Sequence, residues 1–186
     1  MLELGTPAPD FQLPDAVSGR TISLETFAGA RGLLVMFICP HCPYVKHIQR
    51  GLAAMANDYL EASLGIVAIS SNDVAQFPED GPDGLRQASD ELGFAFPYCY
   101  DETQEVAKSY QAACTPDFFL FDDSRRLAYR GQFDASRPGN LVTVTGIDLR
   151  AAIDAILAGE PVDPHQKASI GCSIKWKPGN EPSYSR

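Results

Sequence analysis

The densest chemistry of the chain sits in four residues, Cys39-Pro40-His41-Cys42. Two cysteines at this spacing can cycle through a disulfide. One thiolate attacks a substrate disulfide, and the other thiol, two residues away, attacks the mixed disulfide that results. The pair follows an unbroken apolar run, Leu33 to Ile38, and precedes Pro43 and apolar residues at Val45, Ile48, Leu52, Met55 and Tyr59. A run without alternation predicts a central strand covered on both faces. Steps of three and four predict an amphipathic helix reaching about Leu60. That order sets the thiols at a helix N-terminus, where free N–H groups and the positive end of the dipole favour a thiolate. A protonated His41 adds charge beside them, and cysteines so placed titrate at roughly 3.5–7.5 instead of about 8.5.

Which thiol caps the helix is open at this stage. If Cys39 is the cap, Pro43 falls inside the first turn and deletes a hydrogen bond. If the helix starts later, Pro43 takes the favoured first position and Cys42 is the cap. Closeness to the strand end favours Cys39 as the exposed attacker, with Cys42 partly buried behind it. The competing readings are a structural disulfide, a His41 that is only a surface residue, and half a zinc site needing His47 or His165. A second signal is Thr115-Pro116-Asp117-Phe118, at the entry to a predicted strand. Proline there must hold the strand's first position or form a cis turn.

The elements around these residues alternate. Turn-rich residues 1–30 predict two short edge strands or a hairpin. A second buried strand spans Gly65 to Ser70, and residues 72–84, with Phe77-Pro78-Glu79-Asp80, read as a surface loop. Helices are expected at 84–92, closed by Gly93, around 103–111, and at 147–158, stopped by Gly159. Between the last two, 117–121 and 127–133 flank the polar turn Asp122-Asp123-Ser124 as a hairpin. This is an α/β fold with a mixed sheet.

With 186 residues and 45% apolar content, the chain suits one compact core. Its net charge of −9 repels phosphate backbones and anionic lipid heads, so no nucleic-acid or membrane partner is expected. The longest apolar run is about eight residues, against the ~18–20 that span a bilayer. No basic and apolar leader precedes Pro7 and Pro9, and five cysteines make an odd set, so the expected compartment is cytoplasmic and the expected use of cysteine is thiol chemistry. No glycine-rich phosphate loop, Ser/His/Asp order or carboxylate pair stands out, and neither a cofactor nor a metal is expected.

Val35 to Cys42, with Thr115-Pro116 far downstream, resembles the thioredoxin superfamily. The opening Gly5-Thr6-Pro7-Ala8-Pro9-Asp10-Phe11 is similar to that of the AhpC/TSA peroxiredoxin branch. Cys42 to Lys46, Asp101 to Ala107, Cys114 to Phe121 and Gly171 to Lys177 resemble a bacterial peroxiredoxin-like group within it. The resemblance implies a thioredoxin-like fold: a mixed central β-sheet flanked by helices over residues 1–160, with an N-terminal hairpin extension, and a C-terminal tail, 161–186, packed on the domain. It also implies a cis Pro116 facing the pair, a redox role for Cys39 and Cys42, and a Thr115 backbone that takes up an extended substrate segment. One departure is informative. Peroxiredoxins carry Pro-x-x-x-Thr-x-x-Cys, and here Cys39 stands where the peroxide-binding threonine would be.

The expected function is therefore thiol–disulfide exchange on protein or small-molecule disulfides, served by a thiol reductant. The second reading is a thiol-dependent peroxidase acting on hydroperoxides, and the third a redox-regulated binding module without catalysis. Cys114, beside Thr115, reads as a buried small residue or else as an auxiliary thiol or substrate contact, and Cys172 as a structural cysteine of the docked tail or else an auxiliary thiol, while Cys99 between two tyrosines reads as core. Ile170, Ile174 and Trp176 are expected to anchor the tail. Arg125, Arg126, Lys175 and Lys177 are expected to be solvated, and Glu25, Lys46 and Asp58 would tune the thiols if buried near them.

Overall fold

The computed structural model describes residues 2–185. An antiparallel hairpin of β1 (Gln12–Pro14) and β2 (Thr21–Ser23) opens the fold. The strands β3 (Gly32–Phe37), β4 (Leu64–Ser70) and β5 (Tyr98–Tyr100) run parallel to one another. After the two-residue β6 (Cys114–Thr115), β7 (Asp117–Phe121) and β8 (Leu127–Gly131) add antiparallel, giving a central sheet in the order β5-β4-β3-β7-β8. The helices are α1 (Pro43–Asp58), α2 (Pro82–Leu92), α3 (Glu105–Ser109) and α4 (Ile147–Ala158). These elements lie within a few residues of the expected ones. No helix among the described residues is long and apolar enough to cross a membrane.

β3 shows why its sequence does not alternate: every residue is buried, because both faces of the sheet are covered. Leu34 and Met36 face a layer built from Val45, Ile48, Leu52 and Met55 of α1 and from Leu149 and Ile153 of α4. Leu33, Val35 and Phe37 face the other layer, with Phe11 and Leu13 of the hairpin region, Tyr110, Phe119 and Phe121. A strand so placed cannot shift register without exposing one set of side chains. Its end, where the cysteines follow, is correspondingly fixed.

The tail completes the second layer. Ile174 and Trp176 are buried there, whereas Ile170, expected as a third anchor, is 55% exposed. The tail forms a further strand, β9 (Cys172–Ser173), antiparallel to β6 with Thr115 opposite Cys172. Beyond β9, buried amides replace a sheet partner. The Lys175 N–H donates to Asn72 Oδ1 at 2.8 Å, its carbonyl accepts from the Asp73 N–H at 2.8 Å and from Gln104 Nε2 at 2.9 Å, and the Lys177 N–H donates to Gln104 Oε1 at 2.9 Å. Backbone groups tied down in this way let an irregular segment lie against a core without unpaired donors. Gly171 is required by contact: a Cβ there would lie 2.1 Å from the Thr115 carbonyl oxygen.

Arg125 is a correction to the expectation of solvated charge. Its guanidinium donates to the carbonyls of Ala30 at 3.1 Å and Asp122 at 3.2 Å, and to that of Phe27. Arg126 donates to the Gly5 carbonyl at 3.2 Å. Both arginines bind the N-terminal third of the chain to the β7–β8 turn.

Candidate active site

Cys39 and Cys42 stand where β3 gives way to α1, at the carboxyl ends of the parallel strands, where sheets of this kind bind ligands. The helix begins at Pro43, so Cys42 is its N-cap and the proline occupies the first helical position. Both side chains are 0% exposed. The expectation of an exposed Cys39 is therefore corrected: the loop between strand and helix is covered by the Thr115-Pro116 segment and by the tail. The Thr115–Pro116 bond is cis, as the resemblance implied. It sets the Thr115 hydroxyl 3.3 Å from the Cys39 sulfur and the Thr115 carbonyl 3.1 Å from the Cys42 sulfur, which donates to it when protonated.

The two sulfurs differ in their neighbours. Cys42, at the helix cap, is the thiol held well below the usual range, chiefly by the neighbouring Cys39 thiol, although burial opposes this. Cys39 goes the other way. Its proton is committed to Cys42, it is buried, and the Asp80 carboxylate lies close enough to disfavour a second negative charge. The lowered thiol is thus the one at the helix cap and the raised one the thiol at the strand end.

His41 does not supply the expected positive charge to Cys39 without a counterion. Asp80 is buried, accepts from the His41 N–H at 3.1 Å and from Asn72 Nδ2 at 2.8 Å, and makes a close hydrogen bond to His41 Nδ1. A carboxylate only accepts, so the Nδ1 hydrogen points to Asp80. The Cys39 sulfur, 3.6 Å from that same nitrogen, faces a proton already engaged. The ring stacks on Phe77 at 4.2 Å between centroids, and the Ser70 hydroxyl holds the Asp80 carbonyl at 2.9 Å. His41 is thus a fixed wall of the site.

Asp80, Asn72 and Phe77 were missed in the sequence, where 72–84 reads as a surface loop. The loop instead folds under the pair through the turn Pro78–Asp80. The available signal was topological: polar residues following a parallel strand that neighbours the cysteine-bearing strand. His47 and His165 do not join the pair: His165 is exposed and bonds Asp163. Among the described residues one set of metal-competent donors lies together, the Cys39, His41 and Asp80 side chains within 4.8 Å, with the Asp80 oxygens already taken by hydrogen bonds. Asp58 pairs with Arg150 at 2.7 Å near the far end of α1, and Glu25 and Lys46 are exposed, so none of the three acts on the thiols.

The remaining thiols divide clearly. Cys99 is buried on β5, and burial pushes it up to about 12. Cys114, half-buried, donates to the Pro116 carbonyl at 3.5 Å and is likewise pushed up to about 12 by burial. Cys172 is half-buried on β9, opposite Thr115, and is pushed up to about 11 by burial and by the neighbouring Cys42.

Asp117, next to Pro116, gives a pH-dependent prediction. Burial raises its carboxyl to about 6, with Arg130 and the Ala113 N–H only partly offsetting this. A proton that binds the folded state more tightly than the unfolded one, where aspartate titrates near ~3.9, stabilises the fold below that pH. This stability is lost as pH rises through about 6. Asp117→Asn, which keeps an acceptor for Ala113, should be nearly neutral in urea unfolding at pH 4. At pH 8 it should stabilise by ~2–3 kcal/mol, two shifts of about 1.36 kcal/mol each. Equal effects at the two pH values would refute the assignment.

Comparison with known proteins agrees with this architecture. No curated protein matches the chain. A hypothetical protein from Sinorhizobium meliloti is 51% identical, covering 96% of this chain and 97% of its own, with a TM-score of 0.94. An uncharacterized conserved protein from Geobacillus kaustophilus is 53% identical over 96% of this chain and 95% of its own, also at 0.94. The thioredoxin domain of a thiol-disulfide oxidoreductase from Bacteroides vulgatus shares the fold alone, at 20% identity and a TM-score of 0.60, over 74% of this chain and 91% of its own. The AhpC/TSA family model matches residues 4–130, which span both cysteines of the pair and the cis-proline, and the chain belongs to the AhpC/TSA family within the thioredoxin superfamily.

Proposed function

We propose that the protein is a thiol–disulfide oxidoreductase in which Cys42 is the attacking thiolate and Cys39 the resolving thiol. The observation that carries this reading is the seat of Cys42: the N-cap of α1, its sulfur 3.1 Å from the Thr115 carbonyl beside the cis-proline, with a second cysteine three residues before it at the end of β3. The helix N-terminus favours that sulfur both as nucleophile and as leaving group, and the neighbouring thiol makes resolution intramolecular. His41 and Asp80 shape the wall beside Cys39, and Thr115 touches both sulfurs. The substrates are protein or small-molecule disulfides, with a thiol reductant closing the cycle.

Peroxidase activity is the second reading, favoured by one observation: the cap position of Cys42 is the seat a peroxidatic thiolate needs. Against it, a thiol occupies the place where a hydroxyl would polarise the peroxide, and no arginine bonds Cys42 among the described residues. A paired assay separates the two, with hydrogen peroxide and a model disulfide offered to the same reduced protein. Faster consumption of the disulfide supports exchange. Rapid, saturable peroxide turnover that depends on Cys42 refutes the ranking.

A further inference from the structure

Both thiols of the pair are sealed from solvent, and the backbone edge that should take up a substrate segment is filled by the chain itself. β9 lies antiparallel on β6, with Cys172 opposite Thr115 and Gly171 pressed against the Thr115 carbonyl. The tail thus occupies the position of an added substrate strand, and it presents a cysteine there. Thr115 joins the two parts: its carbonyl lies 3.1 Å from the Cys42 sulfur and it pairs with Cys172 across β6 and β9, and of Cys39, Cys42 and Cys172 the last alone reaches the surface.

We propose that Cys172 is a third redox thiol, through which the buried pair exchanges electrons with the outside. The inference rests on the exchange reading above. In the oxidised protein, the Cys172 thiolate attacks the Cys42 sulfur; the Cys39–Cys42 bond breaks, a Cys42–Cys172 bond forms, and the proton given up by Cys172 ends on Cys39. No electrons enter at this step. The Thr115 hydroxyl, 3.3 Å from the Cys39 sulfur, is placed to donate to it as it departs. An external thiolate then attacks Cys172 at the surface and expels Cys42, the better leaving group of the bond. A second thiol of the reductant releases Cys172, so that two thiols become one disulfide and the pair gains two electrons. The tail need not unfold for any of these steps, which is what the sealed geometry demands.

Mapping of disulfides by mass spectrometry, after oxidation with diamide, acid quench and alkylation, tests this on the full chain. Wild type should contain both Cys39–Cys42 and Cys42–Cys172 linkages, and Cys39→Ser should form Cys42–Cys172 within one molecule. Cys172→Ser should still form Cys39–Cys42 but be reduced by dithiothreitol at least tenfold more slowly than wild type. A Cys172 that stays alkylatable in every oxidised sample, together with a Cys172→Ser protein reduced at the wild-type rate, overturns the relay and leaves the exchange reading standing. Failure of both wild type and Cys172→Ser to form a Cys39–Cys42 bond overturns the exchange reading and the relay with it.

Discussion

Trp176→Ala should loosen the tail and open the site together. Trp176 is 8% exposed and packs in the same layer as Phe11, Leu13 and Ile174. Truncating a buried tryptophan costs about 3–5 kcal/mol. The lower end applies here, because the indole N–H is buried without a hydrogen-bond partner and its loss removes a desolvation penalty of ~1–3 kcal/mol. A net loss of about 2 kcal/mol is expected in urea unfolding. If the tail opens before the rest of the domain, the same energy raises the open fraction by roughly 30-fold, at about 1.4 kcal/mol per decade. Alkylation of Cys42, sealed in the closed form, should accelerate by that factor. Tryptic cleavage after Lys175, whose N–H and carbonyl are both hydrogen-bonded in the intact strap, should accelerate with it. Unchanged alkylation in a protein destabilised by this amount would show that the tail is not what closes the site.

The sequence carried the scaffold well because its signals are local. β3 could be read from one unbroken apolar run, α1 from steps of three and four, and the ends of α2 and α4 from Gly93 and Glu160's neighbour Gly159, both of which adopt the left-handed conformation. The redox pair was equally legible, since spacing and element order lie within a dozen residues. What failed depended on distance. The cap stayed open because Pro43 is compatible with two helix starts, and only the folded chain selects one. The wall beside Cys39 was not legible because Asp80 reaches the site only when the loop after β4 turns inward. β9 has no strand pattern of its own: it exists because Thr115 offers an edge and Gly171 permits the approach. Ile170 was misjudged for a related reason. Composition says that an apolar residue gains by burial, but the chain path around Gly171 turns this one outward.

Serine substitutions should separate the two cysteines of the pair by which step they stop. In Cys39→Ser, the Cys42 sulfur keeps its place at the N-cap of α1, and a hydroxyl replaces the thiol beside it. Attack on a model disulfide should proceed and then stall as a mixed disulfide or as a bond to Cys172. In Cys42→Ser, Cys39 is all that remains of the pair, and peptide mapping separates its reaction from that of Cys172. A cysteine with an ordinary value near ~8.5 is about 3% thiolate at pH 7, and burial beside Asp80 lowers that fraction further. The first step should therefore be at least ~30-fold slower than in Cys39→Ser, and its rate should climb about tenfold per pH unit from neutrality upward, as a largely protonated thiol requires. Cys39→Ser should show no such climb over this range, because its thiolate is already formed. Stopped-flow measurement of mixed-disulfide formation across pH, followed by peptide mapping, reads both quantities. Rapid, pH-independent attack by the Cys42→Ser protein would return the nucleophile's role to Cys39 and make Cys42 the resolving thiol.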